Sequence, residues 1–88
     1  MTIKKDNTFG FNTYDLAFEY KGYNIEAHVS EGGHNTNIVN LSINGDTYNM
    51  KERKWSGRGK RSNLYYDLMI ELQPIIFEYV YNYKYSNK

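Results

Sequence analysis

The sequence predicts an α+β domain in which a four-stranded antiparallel sheet, built from two hairpins, is followed by one long C-terminal helix packed on one sheet face. Two observations predict this ββββα order. Residues 13–53 alternate between apolar and polar side chains, and residues 63–83 form an apolar stretch with steps of three and four. Alternation with a period of two is typical of half-buried strands, and the longer spacing is typical of a helix.

The chain begins with a polar stretch and ends with a short polar tail. We interpret residues 1–12 as an N-terminal arm, residues 13–84 as a single ββββα domain and residues 85–88 as a frayed tail. The first residues contain no apolar stretch of the length that a secretory signal requires. We therefore expect a cytoplasmic protein.

The first hairpin is predicted from strands at residues 13–20 and 23–30, joined by a two-residue Lys-Gly turn. This turn length places Phe18 opposite Ile25, so that apolar side chains face each other across the pair. Agreement between turn chemistry and apolar register supports a hairpin.

The second hairpin is predicted from strands at residues 37–43 and 46–53, joined by Asn44-Gly45. Asn-Gly between alternating segments is a strong signal for a type I′ turn. The inward-facing residues of its first strand are expected to be Val39, Leu41 and Ile43.

The helix carries two apolar stripes. The stripe expected to be buried comprises Leu64, Leu68, Leu72, Ile75, Tyr79 and Tyr83. The second comprises Tyr66, Ile70, Phe77 and Tyr81, and is covered either by a second copy, which gives a homodimer, or by a loop or the N-terminal arm.

Pro74 predicts a kink or a division of the helix. Acidic residues make the stretch too polar to span a membrane, so we expect no membrane partner.

Charge is unevenly distributed along the chain. The formal net charge is +1, yet residues 51–61 hold six basic side chains and one acidic side chain. The candidate partner-binding or nucleic-acid-binding residues are Lys51, Arg53, Lys54, Trp55, Arg58, Lys60 and Arg61. They precede a helix N-terminus, which attracts anions, and Trp55 is suited to stack on a base. The alternative is a solvated basic loop with Trp55 over the edge of the core.

No set of residues in the sequence indicates catalysis, a cofactor or a metal ion. The chain contains no Cys and two His, which lack the spacing of metal ligands. His28 is expected opposite Asp15, so a cross-strand pair explains it better than catalysis. The polar side of the sheet is expected to be flat and exposed. We therefore predict that the protein is not an enzyme.

The first functional hypothesis is a small non-enzymatic binding protein that inhibits a host protein by occluding a surface, the expected host target being a nucleic-acid-handling protein. Its 10 Tyr, 4 Phe and 3 Met against a single Pro indicate an AT-rich genome, such as that of a low-GC bacterium or its phages. In size and composition the chain resembles the small proteins that phages use against host defence, anti-CRISPR proteins among them.

The alternative hypothesis is direct binding of single-stranded or duplex nucleic acid through residues 51–61. The ββββα order, with the stretch Lys51–Trp55 before a Gly-Lys loop and a helix, is similar to that of the single-strand-binding transcriptional coactivator family. That resemblance implies nucleic-acid binding and a dimer formed through the helices.

Overall fold

A computed structural model of the chain describes residues 1–8, 11–32, 35–56 and 63–86. The elements are β1 (Thr2–Thr8), β2 (Phe11–Tyr20), β3 (Tyr23–Gly32), β4 (Asn35–Ile43), β5 (Asp46–Asn49), β6 (Lys54–Trp55) and α1 (Asn63–Ser86). The strands form one antiparallel sheet in chain order. The predicted α+β class is confirmed, but the sheet has six strands rather than four. Sheet and helix belong to two compact units.

Both predicted two-residue turns are present. Lys21 and Gly22 have φ angles of 51° and 83°, and Asn44 and Gly45 have φ angles of 49° and 88°. Positive φ at both central residues is the mark of a type I′ turn, whose twist matches that of the flanking strands. The predicted register between β2 and β3 is confirmed as a result.

The N-terminal segment is a strand of the sheet. β1 pairs with β2 along its whole length, and Ile3 lies opposite Leu16. The interpretation of residues 1–12 as an arm is therefore wrong. An edge strand pairs along only one side and commonly carries charged side chains that discourage further pairing. Lys4 and its charged neighbours follow this rule. Their side chains interrupt the alternation of apolar and polar residues by which a strand is recognised in a sequence.

The strand predicted over residues 46–53 ends early, at Asn49. The Asn49 side-chain oxygen accepts a hydrogen bond from the backbone N–H of Glu52 at 2.8 Å. Its backbone carbonyl accepts another from the N–H of Arg53 at 2.7 Å. Asn favours such turns because its side chain reaches backbone groups a few residues on. After this turn the chain forms β6, the sixth strand, which pairs antiparallel with β5.

A β-bulge interrupts the regular pairing between β3 and β4. His28 lies opposite Asn40, but the next residue, Val29, lies opposite Ile38. Val39 is therefore an extra residue on β4, and the alternation of faces changes there. Ile38 is buried, whereas Val39 is only half-buried. The expectation that Val39 takes the inward position is corrected by this bulge.

One face of the sheet is apolar. A single cross-strand row on this face comprises Ile3, Leu16, Ala27, Leu41, Tyr48 and Trp55. Residues directly opposite each other on antiparallel strands project to the same face, so the row crosses all six strands. Leu41, near its middle, has no exposed surface. This face holds the apolar core of the sheet unit.

The helix continues through Pro74. It runs for 24 residues from Asn63 to Ser86 with no interruption, so the predicted division does not occur. Pro74 is exposed, and water can satisfy the carbonyl group that its missing N–H leaves free. The tail predicted over residues 85–88 is partly helical, since α1 extends to Ser86, whose hydroxyl donates to the Asn82 carbonyl at 2.7 Å.

The buried side of α1 differs from the predicted stripe. Its buried residues are Leu68, Met69, Leu72, Ile76 and Val80. Ile75, Tyr79 and Tyr83 are half-buried, and Leu64 is 51% exposed. The helix is apolar around most of its circumference, so spacing alone does not identify which of two adjacent stripes is buried.

Candidate functional site

The basic segment is only partly within the described residues. Lys51, Arg53, Lys54 and Trp55 are described, whereas Arg58, Lys60 and Arg61 lie outside the described residues. The described cations are exposed in the turn at residues 50–53 and at the start of β6. Lys54 lies 3.8 Å from the Glu52 carboxylate, and both side chains are mostly exposed. An ion pair of this kind contributes little to stability and leaves Lys54 accessible to solvent.

Trp55 is part of the apolar face of the sheet. It is half-buried, and its ring packs edge-on against Tyr48 with the ring centroids 5.2 Å apart. Tyr48 is its direct cross-strand partner. This arrangement matches the alternative expected from the sequence, in which Trp55 covers the edge of the core.

The opposite side of the sheet is the polar face. Its first cross-strand row comprises Lys4, Asp15, His28, Asn40, Asn49 and Lys54. Its second row comprises Thr2, Ala17, Glu26, Ser42 and Thr47. Residues from both rows line a hollow of about 490 Å³. The expectation of a flat surface is therefore wrong. The second row supplies mostly small side chains, which leaves space between the larger side chains of the first row.

The predicted cross-strand pair of His28 and Asp15 is confirmed. The Nδ1 atom of His28 lies 2.5 Å from a carboxylate oxygen of Asp15, and the side chains are 38% and 61% exposed. Ser42, on the neighbouring strand, hydrogen-bonds to the Thr47 hydroxyl at 2.6 Å. Within the described ranges, no hydroxyl group hydrogen-bonds to this imidazole. The Asp15 carboxylate orients the imidazole on the polar face.

The central hairpin of the polar face carries the acidic patch, defined as Asp15, Glu19 and Glu26. All three carboxylates are exposed. The lysine side chains of the first row are those of Lys4 and Lys54, which lie at its two ends. Over residues 1–8, 11–32, 35–56 and 63–86, no group of three or more acidic or imidazole side chains is arranged to hold a metal ion. The patch is suited to attract cationic groups, because its carboxylates lie on one face of the sheet and those of Asp15 and Glu26 line the hollow.

The helix carries a second candidate surface. The residues predicted for self-association are exposed, at 40% for Tyr66, 68% for Ile70, 36% for Phe77 and 59% for Tyr81. Tyr85, expected from the sequence to lie in the frayed tail, is 52% exposed, and its ring centroid lies 4.4 Å from that of Tyr81. Its spacing of four residues from Tyr81 is the signal that places it on the same side of the helix.

Comparisons with known proteins identify no relative: no protein-family model, curated protein or solved structure matches the chain. In the part of the chain that the structure describes, no helix has both the length and the apolar character needed to cross a bilayer.

Proposed function

We propose that this protein is a small non-enzymatic cytoplasmic binding protein that inhibits a nucleic-acid-handling host protein by occluding one of its basic surfaces. The observation that carries the proposal is the acidic patch on a concave face. Three exposed carboxylates from two adjacent strands lie on the polar face, beside a hollow of about 490 Å³. The small size and AT-rich composition of the chain support an origin in a phage or another mobile element.

The charge of the patch favours a protein partner over a nucleic acid at this face. Carboxylates repel phosphates and attract the Lys and Arg side chains that line nucleic-acid-binding grooves. Opposite charges across an interface increase the rate of association and select the correct partner. The Asn40 and Ser42 side chains, beside the patch, add hydrogen-bonding groups that a guanidinium or an ammonium can contact. Occlusion of such a groove needs no catalytic residues.

The second candidate function is direct nucleic-acid binding. Lys51 and Arg53 are exposed in the turn before β6, and this observation supports it. Two cations that neutralise phosphates would give binding that weakens steeply with salt. The packing of Trp55 against Tyr48 reduces the ring surface available for stacking on a base.

The experiment that tests the proposal compares the same charge reversal, Glu to Lys, at two positions. Glu26→Lys alters the acidic patch, and Glu52→Lys makes the same charge change in the turn at residues 50–53. Each variant and the parent would be immobilised and used to capture proteins from lysate of a low-GC bacterium. We expect one partner to be captured by the parent and by Glu52→Lys but lost with Glu26→Lys. The parent should also displace labelled nucleic acid from that partner.

Equal capture by all three proteins, or a partner that keeps its nucleic acid, would refute the proposal. A parallel titration with labelled single-stranded DNA, duplex DNA and RNA, at low and near-physiological salt, tests the second candidate. Steep salt-dependent binding that Lys51→Glu abolishes would make nucleic-acid binding the better account. Under the proposal, no such binding is observed at near-physiological salt.

A further inference from the structure

The side of α1 opposite its buried residues carries the helix stripe, defined as Tyr66, Ile70, Phe77, Tyr81 and Tyr85. At about 100° per residue these five positions lie within roughly a third of the helix circumference. All five are exposed, and Ile70 is the most exposed at 68%. Large apolar side chains that cluster on a surface, rather than occurring singly, mark interaction sites. The stripe extends over 20 residues, from Tyr66 to Tyr85, or about 28 Å of helix.

One border of the helix stripe is acidic. The acidic edge is defined as Asp67, Glu71 and Glu78, which lie on the same side of the stripe by helical spacing and are all exposed. The opposite border carries Gln73 and Lys84. Over residues 63–86 the helix holds three carboxylates and one ammonium group. An occupant of the stripe therefore meets negative charge along one border.

We propose that the helix stripe binds an amphipathic helix of a partner protein whose apolar face is bordered by Lys or Arg. A partner helix of about five turns matches the 28 Å length of the stripe, and docking of one amphipathic helix on another is a recurring recognition mode. The aromatic rings supply anchors of the type that dominate binding energy in interfaces. The acidic edge supplies the selectivity for a basic border. This inference is independent of the acidic patch on the sheet.

The same acidic edge disfavours a second copy of the chain as the occupant. In a two-fold antiparallel helix pair, like borders of the two helices lie side by side. The acidic edge of one copy would then lie along the acidic edge of the other, with Glu71 of one near Glu78 of the other. Like charges at flanking positions are destabilising. A parallel pair would place the acidic edge against a border in which Lys84 is the only cation of the described helix.

The test uses fluorescently labelled synthetic peptides of about 20 residues and the full-length protein. One peptide has a Leu stripe at helical spacing bordered by Lys and Arg, a second has the same stripe bordered by Glu, and a third contains the residues of the first in scrambled order. We expect the first peptide to bind at least about tenfold more tightly than either of the others. Circular dichroism of every variant confirms that it is folded.

Three variants distinguish binding at the helix stripe from unspecific charge attraction. Ile70→Asp should abolish binding of the basic amphipathic peptide, whereas Glu52→Lys, a charge reversal in the turn at residues 50–53, should leave it unchanged. Glu71→Lys should reduce the preference for the basic border severalfold. Equal binding of the scrambled or acidic peptide, or no binding of any peptide, would overturn the proposal. So would a stable dimer of the parent, measured by sedimentation at near-physiological salt, that Ile70→Asp dissociates, since a second copy would then occupy the stripe.

Discussion

Individual residues in the left-handed backbone region determine where this sheet turns. Gly22 and Gly45 occupy the second turn positions with positive φ, where a glycine meets no steric penalty. Arg53 has a φ of 58° without being glycine or asparagine. The two hydrogen bonds that Asn49 accepts from the backbone of Glu52 and Arg53 offset the cost of that conformation. The left-handed turns therefore include two that are evident from sequence and one that depends on hydrogen bonds to the backbone and side chain of Asn49.

The substitution Gly45→Ala tests the backbone cost at the residue scale. Nothing lies within 4 Å of a Cβ atom at this position, so the effect reports the φ of 88° rather than a clash. We expect the free energy of unfolding to fall by about 1 kcal/mol, with the melting temperature lower by roughly 4–8 °C. Thermal unfolding followed by circular dichroism measures it. Gly32→Ala is the matched control, because that position is equally open and lacks positive φ. Equal destabilisation of both variants would contradict this explanation.

The strands and the helix differ in how directly their sequences determine them. The β2–β3 and β4–β5 hairpins follow from turn length, and Leu41 lies opposite Tyr48 as apolar pairing predicts. β4 departs from alternation at Val39, where an extra residue lets both Ile38 and Leu41 take buried positions. Pro74 leaves α1 continuous, because its exposed position lets water replace the lost backbone partner. Irregularities at this scale follow from tertiary packing rather than from local propensity.

Deletion of Val39 tests the bulge. The deletion leaves Val29 opposite Ile38 and makes the ladder between β3 and β4 regular, so we expect a folded protein destabilised by less than about 2 kcal/mol. Deletion of Leu41 is the control, because it moves Asn40 onto the apolar face and should abolish folding. Urea unfolding followed by the fluorescence of Trp55 measures both. A Val39 deletion that unfolds as completely as the Leu41 deletion would show that the bulge is required.

Charge and apolar surface are arranged separately in the whole molecule. The acidic patch lies on the sheet unit, and the helix stripe with its acidic edge lies on the helix unit. The chain as a whole is nearly neutral, with a formal net charge of +1. Net electrostatic repulsion between molecules is therefore weak, and it does little to oppose contacts through the exposed helix stripe. The two proposed binding surfaces thus lie on different units.

The near-neutral charge predicts pH-dependent association. The isoelectric point is about 7.9, so electrostatic repulsion between molecules is smallest near that pH. We expect light scattering of the concentrated protein to be greatest there and to fall at about two pH units on either side. Ile70→Asp adds one carboxylate, so the scattering maximum should move to a lower pH. Scattering that is independent of pH, or a maximum that Ile70→Asp leaves in place, would mean that net charge does not control association.

The sequence by itself determined the fold class, two hairpins, the Asp15–His28 pair and the presence of a second apolar stripe on the helix. Each of these depends on short-range information. A two-residue turn determines the register of its own strands, and helical spacing places residues such as Ile70 and Tyr81 on one side. Alternation within the first hairpin likewise assigns Glu19 and Glu26 to the polar face. The basic residues Arg58, Lys60 and Arg61 remain a sequence prediction.

Only the tertiary structure decided that residues 2–8 form an edge strand, that the chain turns at residues 50–53 and that the polar face is hollow. The edge strand depends on pairing with β2, whose register no local signal contains. The hollow depends on which side chains align across the two hairpins, such as the small Ser42 side chain opposite Glu26, and this alignment exists only after β3 and β4 have paired. The buried side of α1 also required the structure. A helix that is apolar around most of its circumference offers two stripes for burial, and long-range packing selects one of them.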